Sequence, residues 1–259
     1  MKYKCVVSYD GTRFAGWQKQ VNNLTVQETI EKAISKIVNH DVTIVASGRT
    51  DAKVHALGQV FHFETAKKIN DFQKAINSQL PSDIYIRNIE GVAENFHSRF
   101  DVKYKHYDYL INNGEYNPCM NNYSCYVKKK LDINLIKEAS KEFIGTLDFT
   151  SFNATKLTEN ENQIRTIYRI DISTKNDLIC FSFYGNGFLR YMVRMITQTL
   201  IESGLGNISS KEIKDMLDKK DKTVCSYNAV ASGLYLVKVG YNEYEEAENS
   251  SDSYMNEYR

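Results

Sequence analysis

The sequence predicts an α+β protein built as two ferredoxin-like βαββαβ lobes that share a central, mostly antiparallel sheet. Three observations carry this reading. Residues 3–92 alternate short apolar or period-two runs with two stretches of helical periodicity, in the order βαββαβ. Residues 104–239 repeat that order. The linker falls between them at Glu94–Val102, which divides the chain into a lobe over 1–100, a lobe over 101–241 and a tail over 242–259.

In the first lobe Tyr3–Tyr9 is a strand, followed by a helix at Val26–Val38. Thr25 and Glu28 have the spacing of a capping box, and Val26, Ile30, Ile34, Ile37 and Val38 line one face, which marks them as core. Val42–Ala46 is short, β-branched and apolar, while Gln59–Glu64 alternates Phe61 and Phe63 with polar neighbours, so both read as strands. A helix at about Ile69–Leu80 and a strand at Ile84–Val92 complete the unit. The second lobe has strands at Tyr104–Asn112, Ile164–Ser173, Leu178–Tyr184 and Leu234–Val239. Its helices are Ile133–Ile144 and Phe188–Ser203, with a short extra one at Ser210–Leu217. Asp148–Asn162 lacks periodicity, is long for a loop, and reads as a functional or mobile insertion.

Composition narrows the classes. A chain of 259 residues with 42% hydrophobic and 25% charged residues can bury a sizeable core. It contains no apolar run long enough to cross a bilayer and no apolar segment at its amino end, which fits a cytoplasmic protein. The five cysteines form no CxxC pair and the five histidines show no ligand spacing, so reduced thiols, no metal site and no cofactor are expected. The net charge of +1 is unevenly placed: residues 241–259 carry −5, so the remainder carries +6. Binding to a polyanion would then need a local basic patch. The acidic tail has no periodicity and reads as disordered.

The most informative stretch is GRTDAKVHA at Gly48–Ala56, which sets Asp51 in a short turn between two apolar runs. Arg49, two residues away, is a fixed cation that can hold the carboxylate ionised, as a nucleophile or general base requires. The local residues fit an Asx-turn aspartate beside a surface arginine equally well. In the strand KYKHYDYLI, Tyr107 and Tyr109 face one side while His106 and Asp108 face the other. In GNGFLRYMVRM, Phe188, Met192 and Met195 face inward at helical spacing, and Arg190 and Arg194, four apart, share a helix face. An arginine there can pair with Asp51, contact phosphate, or stand as a plain surface charge. The GxG at Gly185–Gly187 lacks the third glycine and the acidic residue of a dinucleotide fingerprint.

Six segments in register resemble the TruA family of tRNA pseudouridine synthases: YDGTRFAGWQKQ, GRTDAKVHA, GQVFHFET, NSQLPSDI, FHSRF and GNGFLRYMVR, closing with GLYLVKV at Gly233–Val239. The resemblance implies two ferredoxin-like lobes with a positively charged RNA cleft and a cofactor-free isomerisation of uridine to pseudouridine. It implies Asp51 as catalytic nucleophile, Tyr107 packing on the target base and acting as a base, Arg194 pairing with the aspartate, and Arg49 displacing the target nucleotide. Lys53 and Arg190 are expected to meet RNA. Both attack at C1′ and abstraction of a ribose proton are compatible with the role of Asp51. The implied substrate is the tRNA anticodon arm, at uridines 38 to 40, and the implied assembly is a homodimer.

Three positions depart from the pattern: Lys53 where glycine is usual, Gln198 where a small glycine is usual, and Asp108 where a basic residue is common. Lys53 and Gln198 motivate a rival reading, a catalytically silent paralogue acting as an RNA-binding protein or tRNA chaperone. A glycosidase reading lacks a second carboxylate near Asp51.

Overall fold

The computed structural model describes residues 1–158 and 161–245, a mixed α/β protein whose strands pair mostly antiparallel. It divides into two compact units, Met1–Lys103 with Tyr235–Glu243, and Tyr104–Leu234 with the described residues from Tyr244 onward. The acidic residues 246–259, expected from composition to be disordered, lie outside the described residues.

In the first unit β1 (Lys2–Tyr9) is flanked by β3 (His55–Glu64) and β4 (Ile84–Val92), both antiparallel to it. The far edge of β3 is shared. β2 (Val45–Ala46) covers it at His62 and Phe61, and β10 (Leu234–Gly240) runs parallel to it at His55 and Ala56. Alternation puts Cys5, Val7 and Tyr9 of β1 on a buried face, with Phe61 of β3 paired opposite Cys5. The helix α1 (Val26–Val38) adds fully buried Val26, Ile30 and Ile34 to the core. Only half of its expected capping box forms. Thr25 accepts from the Glu28 amide, but the Glu28 carboxylate turns to Lys32, 2.8 Å away.

Two elements of this unit are shorter than their apolar patterns. Val42–Ile44 does not join the sheet because the side chains of Ser35 and Glu31 on α1 take the amides of Val42 and Ile44. α2 spans only Phe72–Asn77, since Asp71 caps it by accepting from the Lys74 amide. β3 instead starts four residues early, at His55, where pairing with β10 extends it.

In the second unit β5 (Tyr104–Asn112) pairs antiparallel with β9 (Leu178–Gly185), β9 with β8 (Ile164–Lys175), and β8 with β7 (Gly145–Asp148), while the two-residue β6 (Cys125–Tyr126) runs parallel to the end of β5. β6 and β7 are too short to show a period in the sequence. The helices are α3 (Ile133–Ser140), α4 (Met192–Gly204) and α5 (Ser210–Lys219), the last with a complete Ser209–Glu212 capping box. α3 and α4 meet closely at Gly204, where a β-carbon would lie 2.7 Å from Ile136. The stretch after Asp148 is not simply a mobile insertion. Phe149 and Phe152 are fully buried, and Phe152 packs edge-on against Phe143 at 5.0 Å. Tyr244, assigned by composition to the tail, stacks on Tyr168 at 4.7 Å.

Candidate active site

Residues 47–54 connect β2 to β3 and carry Arg49, Asp51 and Lys53. Buried polar side chains hold this loop. The hydroxyls of Tyr9 and Thr50 lie 2.8 Å apart, one residue before Asp51. Ser47 Oγ donates to Gln59 Oε1 at 2.6 Å, Gln59 Nε2 donates to the Gly48 carbonyl at 3.0 Å, and the Val60 amide donates to the same Oε1. Gln59 is wholly buried, so these bonds offset the desolvation of its amide. Burial pushes the Tyr9 phenol upward, against the lowering effect of its bonds to Thr50 and Gln59, so it acts as a neutral hydrogen-bonding group.

The segment after β1 lies against the loop through its backbone. The Trp17 amide donates to the Thr50 carbonyl, and the Lys53 amide to the Phe14 carbonyl. The approach is close enough to require glycine twice: a β-carbon on Gly11 would sit 2.1 Å from the Val54 oxygen, and one on Gly16, where φ is +99°, 2.7 Å from the Thr50 oxygen. These contacts explain why YDGTRFAGW and GRTDAKVHA occur together. His55 begins β3 with its ring stacked on Tyr235 at 4.7 Å. Its Nδ1 accepts from the Gly11 amide at 3.1 Å, which puts the lone pair there. The nearby Asp10 oxygen, at 3.2 Å, is therefore not the partner of a Nδ1 proton.

At the tip of this loop Asp51 is half-buried, Arg49 is exposed and Lys53 is exposed. Lys53 has φ 65°, in the left-handed region, so a side chain stands at a strained backbone angle where glycine is usual. The loop keeps its shape because both flanks are anchored.

In the second unit Tyr107 is buried on β5 and meets Phe188 edge-on at 5.3 Å. Tyr109, on the same face, donates to the Val230 carbonyl. The helix expected from Phe188 begins only at Met192, because Tyr191 turns the chain with φ 62°. Arg190 therefore precedes the helix and shares no helix face with Arg194, contrary to the spacing argument. The two still meet over one ring: each guanidinium carbon is 4.9 Å from the centre of Tyr191. Arg190 is exposed, and its amide donates to Thr155 Oγ1. Arg194 is half-buried, and its Nε donates to the Ala229 carbonyl at 2.7 Å.

The remaining departures are accommodated. Asp108 is fully buried on the opposite face of β5 from Tyr107, where it accepts from Ser182 Oγ at 2.6 Å and lies 2.8 Å from His106 Nε2. Gln198 is half-buried and donates along α4 to Glu202, so it is not wedged between packed elements. Sequence reasoning missed Tyr9, Ser47, Thr50 and Gln59 as supports of the loop. The alternation of β1 and β3, which puts polar atoms among buried neighbours, was the available signal. Among the described residues no group of three His, Cys, Asp or Glu side chains is disposed to hold a metal ion, and no helix is long and apolar enough to cross a membrane.

A protein family described as tRNA pseudouridine synthase matches residues 5–101 and 139–242, which takes in the Asp51 loop, α4 and β10. The chain belongs to this family. Among its relatives, the tRNA pseudouridine synthase A of an Exiguobacterium species is 42% identical over 93% of this chain and 98% of its own length. The tRNA pseudouridine synthase A 1 of Bacillus cereus is 42% identical over 93% and 99%, and the tRNA pseudouridine synthase A of a Thermoanaerobacter species is 41% identical over 91% and 98%. As a tRNA pseudouridine synthase the chain is an isomerase that modifies tRNA. The silent RNA-binding reading is not favoured, since the matching family and the relatives are described as synthases.

Proposed function

We propose that the chain isomerises uridine to pseudouridine in the anticodon stem-loop of tRNA, with Asp51 as the nucleophile. One observation carries the reading: Asp51 stands at the tip of a loop held before it by buried side-chain bonds at Ser47, Gly48 and Thr50 and after it by the Lys53 amide bonded to the Phe14 carbonyl, which supports a preorganised carboxylate. In this scheme the N-glycosidic bond of the uridine breaks with its electron pair on N1, the uracil turns in the pocket, C5 bonds to the ribose C1′ and loses its hydrogen as a proton, and N1 takes up a proton, so that the product is an isomer of uridine. Tyr107 packs on the target base and serves as a base, Arg194 supplies the positive charge that pairs with the carboxylate, and Arg49 fills the place of the displaced nucleotide. Lys53 and Arg190 contact RNA. The basic RNA cleft, the ferredoxin-like lobes, the homodimeric assembly and the cytoplasmic location belong to the same proposal, and no cofactor enters it.

The test is release of tritium from tRNA labelled at uridine C5. Asp51→Asn keeps the size and turn-forming ability of the residue, so stability and tRNA affinity should stay within about 1 kcal/mol, while tritium release stops. Release at the wild-type rate would remove Asp51 from the mechanism. An absence of release by the wild-type protein from tRNAs carrying anticodon-arm uridines would overturn the assigned substrate position.

A further inference from the structure

We propose that the segment around β6, with Tyr116, Tyr126, Lys128 and Lys129, is a second RNA-binding surface that takes the sugar–phosphate backbone of tRNA and an adjacent unpaired base. The inference rests on tRNA being the substrate and extends recognition to a part of the chain with no assigned role.

Lys128–Lys130 is the only run of three consecutive basic residues in the sequence, and all three are exposed. Lys130 is engaged with Asp177 at 3.0 Å. Lys128 and Lys129 have no side-chain partner among the described residues. Of the neighbouring acids, Asp132 is taken up by capping α3, where it accepts from the amides of Asn134 and Leu135. Glu115 remains as an unengaged neighbour in sequence, so the three lysines are matched in number by Glu115, Asp132 and Asp177, and what sets the run apart is that Lys128 and Lys129 are adjacent, exposed and without an ion-pair partner among the described residues. The run is not a loose tail. Asn113, nearly fully buried, donates through Nδ2 to the carbonyls of both Val127 and Lys129 at 2.8 Å and accepts from the Leu131 amide. This clamp holds the backbone on both sides of Lys128 in place, which lowers the ordering cost of a multi-point contact.

Beside the lysines are two aromatic rings that the fold leaves to solvent. Tyr116 is 56% exposed and Tyr126 36% exposed, and they pack edge-on at 5.2 Å. Each ring limits the motion of the other while leaving a face open. A strand end with fixed lysines next to open tyrosine faces has the composition of single-stranded nucleic-acid sites, where cations track phosphates and rings stack on bases. Two adjacent unpaired lysines offer cations to neighbouring phosphates, and the low net charge of the whole chain means that attraction must come from such local contacts.

Filter binding of unmodified tRNA to the full-length protein across a salt series separates the two parts. Lys128→Ala with Lys129→Ala should reduce the log–log salt slope by about 1.5, the contribution of two phosphate contacts, so that its affinity deficit narrows about tenfold between 50 and 200 mM salt. Both side chains are exposed, so the melting temperature should not move. Tyr126→Leu should weaken binding about fivefold or more at every salt concentration with the slope unchanged, and Tyr126→Phe should retain wild-type affinity. A lysine pair variant with the wild-type slope and affinity would overturn the proposal, provided the wild type binds tRNA with a salt-dependent affinity. A wild type whose tRNA affinity ignores salt would instead overturn the reading of tRNA as a phosphate-bound substrate. Unchanged tRNA binding with lost adsorption to phosphatidylserine vesicles would assign the patch to a membrane surface and likewise overturn it.

Discussion

The loop that carries Asp51 and the segment that leads into α4 are both anchored turns that present a charged side chain, but they are anchored by different means. Around Asp51 the supports are buried side-chain hydrogen bonds, Tyr9 to Thr50 and Ser47 to Gln59 to Gly48, reinforced by two glycines that admit close backbone contact. Before α4 the supports are a left-handed tyrosine, bonds from Arg194 Nε and the Arg190 amide, and two guanidinium groups over one ring. The first arrangement depends on single atoms in a dry environment, where an unpaired polar group costs about 1–3 kcal/mol. The second depends on shape and on half-exposed contacts that water can replace in part. Removal of one small group should therefore disturb the Asp51 loop more.

The largest expected effect is at Gly16. Gly16→Ala forces a β-carbon against the Thr50 oxygen at a backbone angle that L-residues rarely adopt, so the loop or the segment after β1 must shift. Stability should fall by about 3 kcal/mol, or about 6–12 °C in melting temperature, and turnover should fall further than stability alone explains. Thermal unfolding followed beside the tritium assay measures both. A variant with normal melting and normal turnover would show that the close approach is not what fixes the loop.

Tyr9→Phe is a gentler cut at the same place. It removes one oxygen and leaves the Thr50 hydroxyl with one fewer partner, at a cost of about 1–2 kcal/mol. If the bond orients the loop for chemistry, kcat should fall about tenfold while KM for tRNA stays near its wild-type value. Lost stability with unchanged kcat would reduce Tyr9 to a core residue. In the other region, Arg194→Lys keeps the charge but loses the Nε donor to Ala229 and the planar group over Tyr191. Its stability cost should be near 1 kcal/mol, below that of Tyr9→Phe. A larger cost than at Tyr9 would reverse the ranking of the two anchoring schemes.

What could be read from the sequence follows the same division. α1, β4 and β5 have the bounds that periodicity assigns; α1 and β5 bury a continuous face, β4 begins with buried Ile84 and Ile86, and Asp51 stands out because a charged turn between apolar runs is locally visible. The supports of Asp51 were legible only in part: alternation buries Tyr9 and Gln59, but their partners Thr50 and Gly48 lie 41 and 11 residues away. The start of α4 was misread for a related reason. Phe188, Met192 and Met195 do recur at helical spacing, but a single residue in the left-handed region, Tyr191, breaks the helix without any glycine or proline to mark it. Val42–Ile44 reads as strand by composition and fails as strand because α1 supplies side-chain acceptors for its amides. Local pattern predicts an element well where burial decides it and poorly where one distant hydrogen bond does.

The smallest effect should come from Lys53, and it tests whether the Asp51 loop is held by its anchors or by its own residues. Lys53 carries the left-handed strain at φ 65° with its side chain exposed. Lys53→Gly relieves that strain, which is worth about 1 kcal/mol, but gives back a similar amount through the greater freedom of glycine in the unfolded chain. The two nearly cancel, so melting temperature should change by no more than about 3 °C. If the anchors define the loop, kcat should also hold within about twofold, and only the salt dependence of tRNA binding should soften, by at most the slope of one phosphate contact, about 0.7 to 0.9. A fall in kcat of tenfold or more at constant melting temperature would mean that the lysine itself acts in the chemistry or that the loop needs its stiffness, and the anchoring account of Asp51 would then be incomplete.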